Sequence, residues 1–159
     1  MYTKNIMRNQ KKLLLEQLDR KLESFHGTDK VQVPQNGWIS TIRATLNMTM
    51  EQLGSRLNMT RQGVKKIEER EASGAISIKS LKEVGVALDM QFVYGFVPRQ
   101  SSIEKLVDLK SRQLARKIVL RTNQNMKLEN QGNSDERITQ AIEELASEIK
   151  REMRKSLWD

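Results

Sequence analysis

Residues 49–71 read TMEQLGSRLNMTRQGVKKIEERE, and their spacing restricts the fold more than any other stretch of the chain. Thr49 and Thr60 each open an amphipathic run, and only Asn58 and Met59 stand between the runs. Thr49, with Gln52 three residues on, has the spacing of a capping box. Leu53 and Leu57 then face inward, and Asn58 ends the first helix, because Asn tolerates positive φ next best after Gly. Met59 follows as an apolar plug, Thr60 caps the second helix, and Val64 and Ile67 bury its inner face. Gly54 is expected under Val64, where two crossing helices approach most closely and only a small residue fits. Together Leu53, Gly54, Leu57, Asn58, Met59, Val64 and Ile67 have helix-turn-helix spacing. An ordinary helical hairpin in a bundle is the competing reading.

In a helix-turn-helix the first residues of the second helix point at base edges in the major groove. Arg61 can make a bidentate contact to guanine, Gln62 can read adenine, and Lys65 and Lys66 can reach bases or phosphates. With Thr49, Gln52, Thr60 and Gly63 they make up the candidate DNA-binding set. The bland alternative is a solvated face on which Lys65, Lys66 and Arg70 pair with Glu68, Glu69 and Glu71, and it suits Arg70 better than the lysines. Gly63 costs a helix interior about 1 kcal/mol. Close approach to a DNA backbone accounts for it, and a crowded neighbour within the protein accounts for it equally well.

The charge balance points the same way. The net charge is +8, and it divides as +3 over residues 1–36, +2 over 37–98, +6 over 99–127 and −3 over 128–159. Such a surface suits a polyanion, since neutralising phosphates releases counterions. A merely basic protein would carry the same total. At 159 residues and 37% hydrophobic content the chain can hold one core plus extensions, and 4% aromatic content suits short helices better than sheets.

Other function classes find little support. No apolar run is long enough to span a bilayer, and charges interrupt the apolar residues after the basic start, so neither a membrane anchor nor a cleaved signal is expected. Cysteine is absent and His26 is the only histidine, which leaves no nucleophile, base or metal cluster to assemble. No enzyme activity and no cofactor are expected, and the cytoplasm is the default location.

Periodicity divides the chain into residues 1–36, an N-terminal helix (8–26) and extended linker; 37–98, the helix-turn-helix domain; and 99–159, a helical C-terminal region. Leu14, Leu15, Leu18, Leu22 and Phe25 form the first stripe. Further helices are expected at Trp38–Leu46 and at Ile78–Leu88 behind a Ser77 cap. MQFVYGFV (90–97) reads as a strand with Phe92, Tyr94 and Phe96 on one face, able to pair with its copy in a second protomer or with KVQV in its own chain. Ser101 and Glu104 have capping-box spacing before a long stripe of Ile103, Val107, Leu114 and Ile118. Ser134 precedes a last helix (137–157) carrying Ile138, Ile142, Leu145, Ile149 and Met153. Trp38 and Trp158 are expected to pack rather than to stack on bases.

Residues 37–98 resemble the Xre, phage-repressor-like helix-turn-helix family, and the segment MQFVYGFVP looks like the variety found in antitoxin-type repressors. The fold implied is mostly α, with an Xre/lambda-repressor-like domain, one short β-strand, and amphipathic helices on either side. LEQLDRKLESF, VPQNGWISTIRATLNMTMEQLGSRL, ALDMQFVYGFVP and RQLARKIVLRTNQNMKLENQ together look like the mobile mystery protein A family, whose members are typically encoded beside a Fic-domain protein. The resemblance implies a DNA-binding repressor acting as an antitoxin, binding double-stranded operator DNA as a homodimer and inhibiting a Fic-domain toxin. Fic adenylyltransferases are commonly held inactive by a helix bearing [ST]-x-x-x-E-[GN], whose Glu pairs with an active-site Arg and blocks placement of the ATP γ-phosphate. In Asn125-Met-Lys-Leu-Glu129-Asn130, Glu129 and Asn130 match and Asn125 stands where Ser or Thr is usual. The competing reading is a helix that ends at Glu129–Asn130 before a polar loop.

Two other roles compete. One is a free-standing Xre-family regulator with a helical dimerisation domain. The other is RNA binding through residues 99–127, which ranks lower because that stretch has no aromatic side chains for base stacking.

Overall fold

Side chains that satisfy helix ends account for most of the architecture. The computed structural model describes residues 2–128 and 134–159. Its α-helices are α1 (Tyr2–Glu23), α2 (Gly37–Thr45), α3 (Met50–Leu57), α4 (Arg61–Ala72), α5 (Ile78–Ala87), α6 (Ile103–Leu128) and α7 (Asp135–Glu152), with short 3-10 turns at Thr28–Lys30 and Lys155–Trp158. The protein is mostly α. Asp29–Gly95 form one compact unit, and the chain up to Thr28 joins Phe96–Asp159 in a second.

In the first unit α2, α3, α4 and α5 enclose Ile39, Leu53, Val64, Val84, Ala87 and Leu88, with Leu53 and Val64 fully buried. As its spacing predicts, Ser77 caps α5, its Oγ accepting from Ser80 N–H at 3.1 Å. The start of α2 has no side-chain cap of its own. Glu71 supplies it from α4, one carboxylate oxygen accepting from Trp38 N–H (2.9 Å) and the other from Ile39 N–H (2.8 Å). Gly37 is required beside this contact, since it has φ +80° and a Cβ there would lie 2.7 Å from the Glu71 carboxylate.

Glu68 also turns inward. Its carboxylate accepts from Arg43 Nε (2.6 Å) and Nη2 (3.2 Å), and Arg43 Nη1 donates to Met48 C=O (3.0 Å). The hydrogen bond to Glu68 holds the Arg43 pKa above its ordinary value. The solvated-face reading of Glu68 and Glu71 is therefore corrected, because both carboxylates serve α2.

Residues 90–97 form no strand, and no strand occurs among the described residues. A strand exists only through a paired neighbour, and residues 30–33 do not supply one. Phe92 instead stacks on Tyr94, with centroids 6.2 Å apart, while Phe96 is 82% exposed.

The second unit is built on α6 and α7. Glu104 and Asp108 pair with Lys150, and Arg112 pairs with Glu143, so ascending positions on α6 meet descending ones on α7 and the helices run antiparallel. Val107, Ala115, Ala146, Ile149 and Leu157 fill the interface, and Leu15 of α1 packs against them. The first-helix stripe is only partly used, since Leu14 is 64% exposed.

Two expectations at helix ends need correcting. Ser101 has φ +66° and lies outside α6. The N-terminus of α6 is satisfied by Asp19 of α1, which accepts from Ile103 N–H (2.6 Å) and Glu104 N–H (3.1 Å), and by Ser102 Oγ, which accepts from Lys105 N–H (3.1 Å). The last helix does not run to 157. Met153 takes a left-handed C-cap conformation, with φ 51° and ψ 55°, and the chain turns back to bury Leu157.

Candidate nucleic-acid interface

The join between α3 and α4 has the local geometry its residues predict. Thr49 Oγ1 accepts from Gln52 N–H (3.1 Å) and Gln52 Oε1 accepts from Thr49 N–H (2.8 Å), which completes the capping box. Asn58 is left-handed, with φ 54° and ψ 42°. Met59 N–H closes the turn onto Gly54 C=O at 2.9 Å, and Thr60 Oγ1 accepts from Gly63 N–H at 3.2 Å. Only Asn58, Met59 and Thr60 separate the helices.

Both glycines here are explained by crowding. A Cβ on Gly54 would lie 2.6 Å from Met59 O and 3.4 Å from Val64 Cγ2, so the turn carbonyl is a tighter constraint than Val64. On Gly63 it would meet Met59 Cβ and Sδ at 3.2 Å. Crowding within the protein thus bears on Gly63 too, where the Met59 side chain would have to give by a few tenths of an ångström.

On the outer surface, Thr49, Gln52, Thr60, Arg61, Gln62, Lys65 and Lys66 are all exposed. The arrangement brings Arg61 and Gln62 onto the first turn of α4, with Lys65 and Lys66 one turn on. Arg61 lies 3.4 Å from Glu51, and Lys65 lies 3.9 Å from Glu69. Both pairs are open to solvent and hold their cations weakly, so both side chains can exchange a carboxylate for a phosphate. Among the described residues Lys66 and Arg70 have no ion-pair partner, which removes the distinction drawn between Arg70 and the lysines. The first N–H groups of α4 and its dipole add partial positive charge at the same end.

Elsewhere there is little to compete with this surface. Among the described residues no cluster of His, Asp or Glu could hold a metal, and no helix is long and apolar enough to cross a membrane. Trp38 and Trp158 are 40% and 57% exposed, so neither is packed away as expected. Asn125 is exposed near the end of α6. Glu129 and Asn130 lie outside the described residues.

Glu68 and Glu71, which tie α2 to α4, and Asp19, which caps α6, escaped sequence reasoning. A hint for Glu71 was present: α2 begins at a glycine after Asn36, which makes no capping hydrogen bond, and so it needs a remote acceptor. The chain has no significant match among family models, curated proteins or solved structures.

Proposed function

We propose that this protein is a sequence-specific DNA-binding transcriptional repressor whose α3–turn–α4 element is a helix-turn-helix of the Xre type, with α4 as recognition helix. The observation that carries the reading is the three-residue turn closed by left-handed Asn58 and capping Thr60, which leaves Arg61 and Gln62 exposed on the first turn of α4. Arg61 and Gln62 read bases, while Lys65 and Lys66 hold phosphates or base edges.

The unpaired, uncharged segment 90–97 supports a two-fold homodimer, since pairing with its own copy would satisfy exposed backbone groups and cover Val93, Tyr94 and Phe96. Binding of the Arg61→Ala, Gln62→Ala double variant to the natural promoter tests the base readout. Each substitution is expected to cost about 1–3 kcal/mol and to relax preference at one base position. Unchanged operator affinity sinks the reading, and a footprint over a single half-site excludes the dimer.

The antitoxin role rests on the resemblance to the mobile mystery protein A family. On that reading Glu129 offers a carboxylate to the active-site Arg of a Fic-domain toxin, a charge-assisted contact that competes with the ATP phosphate. Glu129→Gly is expected to release adenylyltransferase activity from the co-expressed neighbouring gene product and to leave promoter binding intact. A toxin that stays silent in Glu129→Gly, yet is freed by deleting residues 1–26 or 137–159, shows steric inhibition instead.

A further inference from the structure

The charges of α6 are sorted by face. Its two acids, Glu104 and Asp108, both pair with Lys150, and Asp108 also meets Arg112, which reaches on to Glu143. Beyond Asp108 the helix carries no acid at all. Lys105, Arg116, Lys117 and Arg121 are exposed, Lys110 is half-buried, and none of the five has an ion-pair partner among the described residues. Gln113, among them, and Gln124, just beyond Arg121, are also exposed on the same side of the helix. At 1.5 Å per residue, Lys105 to Arg121 spans about 24 Å.

We infer that this face of α6 is a second DNA-binding surface, which grips the phosphate backbone of a duplex without reading sequence. Duplex DNA presents a negative charge every ~1.7 Å along its axis, and phosphate oxygens only accept hydrogen bonds. The five cations and the two glutamine amides supply donors over more than half a helical turn of such a backbone. An anionic membrane fits less well, because α6 spends most of its apolar side on α7 and, among the described residues, exposes only Leu109, Ile118 and Leu120 of its large apolar side chains, at 36%, 40% and 37%. Single-stranded nucleic acid would call for aromatic platforms, and α6 has none. A protein partner would call for a buried apolar anchor at the centre of the face. Phosphate contacts carry no sequence information, so this surface works whether or not α4 reads bases.

The test is binding of the full chain to a noncognate duplex across a range of salt concentrations. Replacing Lys105, Arg116, Lys117 and Arg121 together by Gln is expected to reduce the slope of log K against log[salt] by about 3–4, and each single replacement by about 1. Affinity at about 0.1 M salt should fall at least tenfold in the quadruple variant. The charge-keeping exchange of Lys for Arg and Arg for Lys at the same positions should retain the wild-type slope. An unmoved slope in both the quadruple and the single Gln variants overturns the proposal. So does wild-type protein that binds anionic lipid vesicles but not the duplex. The Arg61→Ala, Gln62→Ala variant separates the two surfaces: it should lose operator preference and keep most of its noncognate salt slope. If it keeps operator preference while the Gln variants lose slope, base readout by α4 fails and the α6 surface stands.

Discussion

Glu68→Ala is expected to destabilise the Asp29–Gly95 unit by about 3 kcal/mol, because it leaves a largely buried guanidinium without its counter-ion. The side chains of Arg43 and Glu68 are only 13% and 8% exposed. The guanidinium cannot escape by losing its proton, since an arginine pKa already lies far above neutral and the Glu68 hydrogen bond raises it further. Its remaining bond, from Nη1 to Met48 C=O, satisfies one donor and no charge. Urea unfolding followed by Trp38 fluorescence, in a Trp158→Phe background, reads this unit by itself. The double substitution Arg43→Met, Glu68→Leu should recover most of the loss, because an apolar pair removes both desolvation penalties together. A loss below about 1 kcal/mol in Glu68→Ala would mean that the pair is hydrated in solution.

The second large effect is expected at Ile149, which is fully buried between α6 and α7 beside Val107, Ala115, Ala146 and Leu157. Ile149→Ala should cost about 2–5 kcal/mol, from lost transfer energy plus a cavity that neighbours already in contact cannot close. Slowed amide exchange in α6 and α7 should disappear in proportion. Leu14→Ala is the matched control: Leu14 is 64% exposed, and a change within about 0.5 kcal/mol is expected. Equal losses at the two positions would show that Leu14 is covered in solution.

That contrast marks how far periodicity carries. Of the stripe Ile138, Ile142, Leu145, Ile149 and Met153, the last four face the α6–α7 core as expected, and Ile138 is half-buried outside it. The stripe on α1 was equally regular, yet only part of it is buried. An apolar face records that a helix can be covered, and the neighbouring helix determines how much of it is. Arg61, Gln62, Lys65 and Lys66 were legible for a related reason. Their exposure follows from the inward positions of Leu53, Val64 and Ile67 on short helices with marked ends.

What the sequence determined by itself is the set of interactions that close within a few residues: the Thr49–Gln52 capping box, left-handed Asn58, and the Thr60, Ser77 and Ser134 caps. Each joins a side chain to a backbone group three residues away, or sets one φ, so its energy is nearly independent of the rest of the chain. Tertiary structure alone decided the ends that borrow an acceptor from far off. Asp19 caps α6 across 84 and 85 residues, Glu71 caps α2 across 33 and 32, and Glu68 neutralises Arg43 across 25. It also decided that 90–97 is no strand and that α7 stops at Met153, because a strand needs a ladder partner and a helix gives way where Leu157 gains a buried site by turning back. An orphan N–H or carboxylate signals only that a partner is needed, and no local pattern says which of the many candidates the folded chain brings within 3 Å.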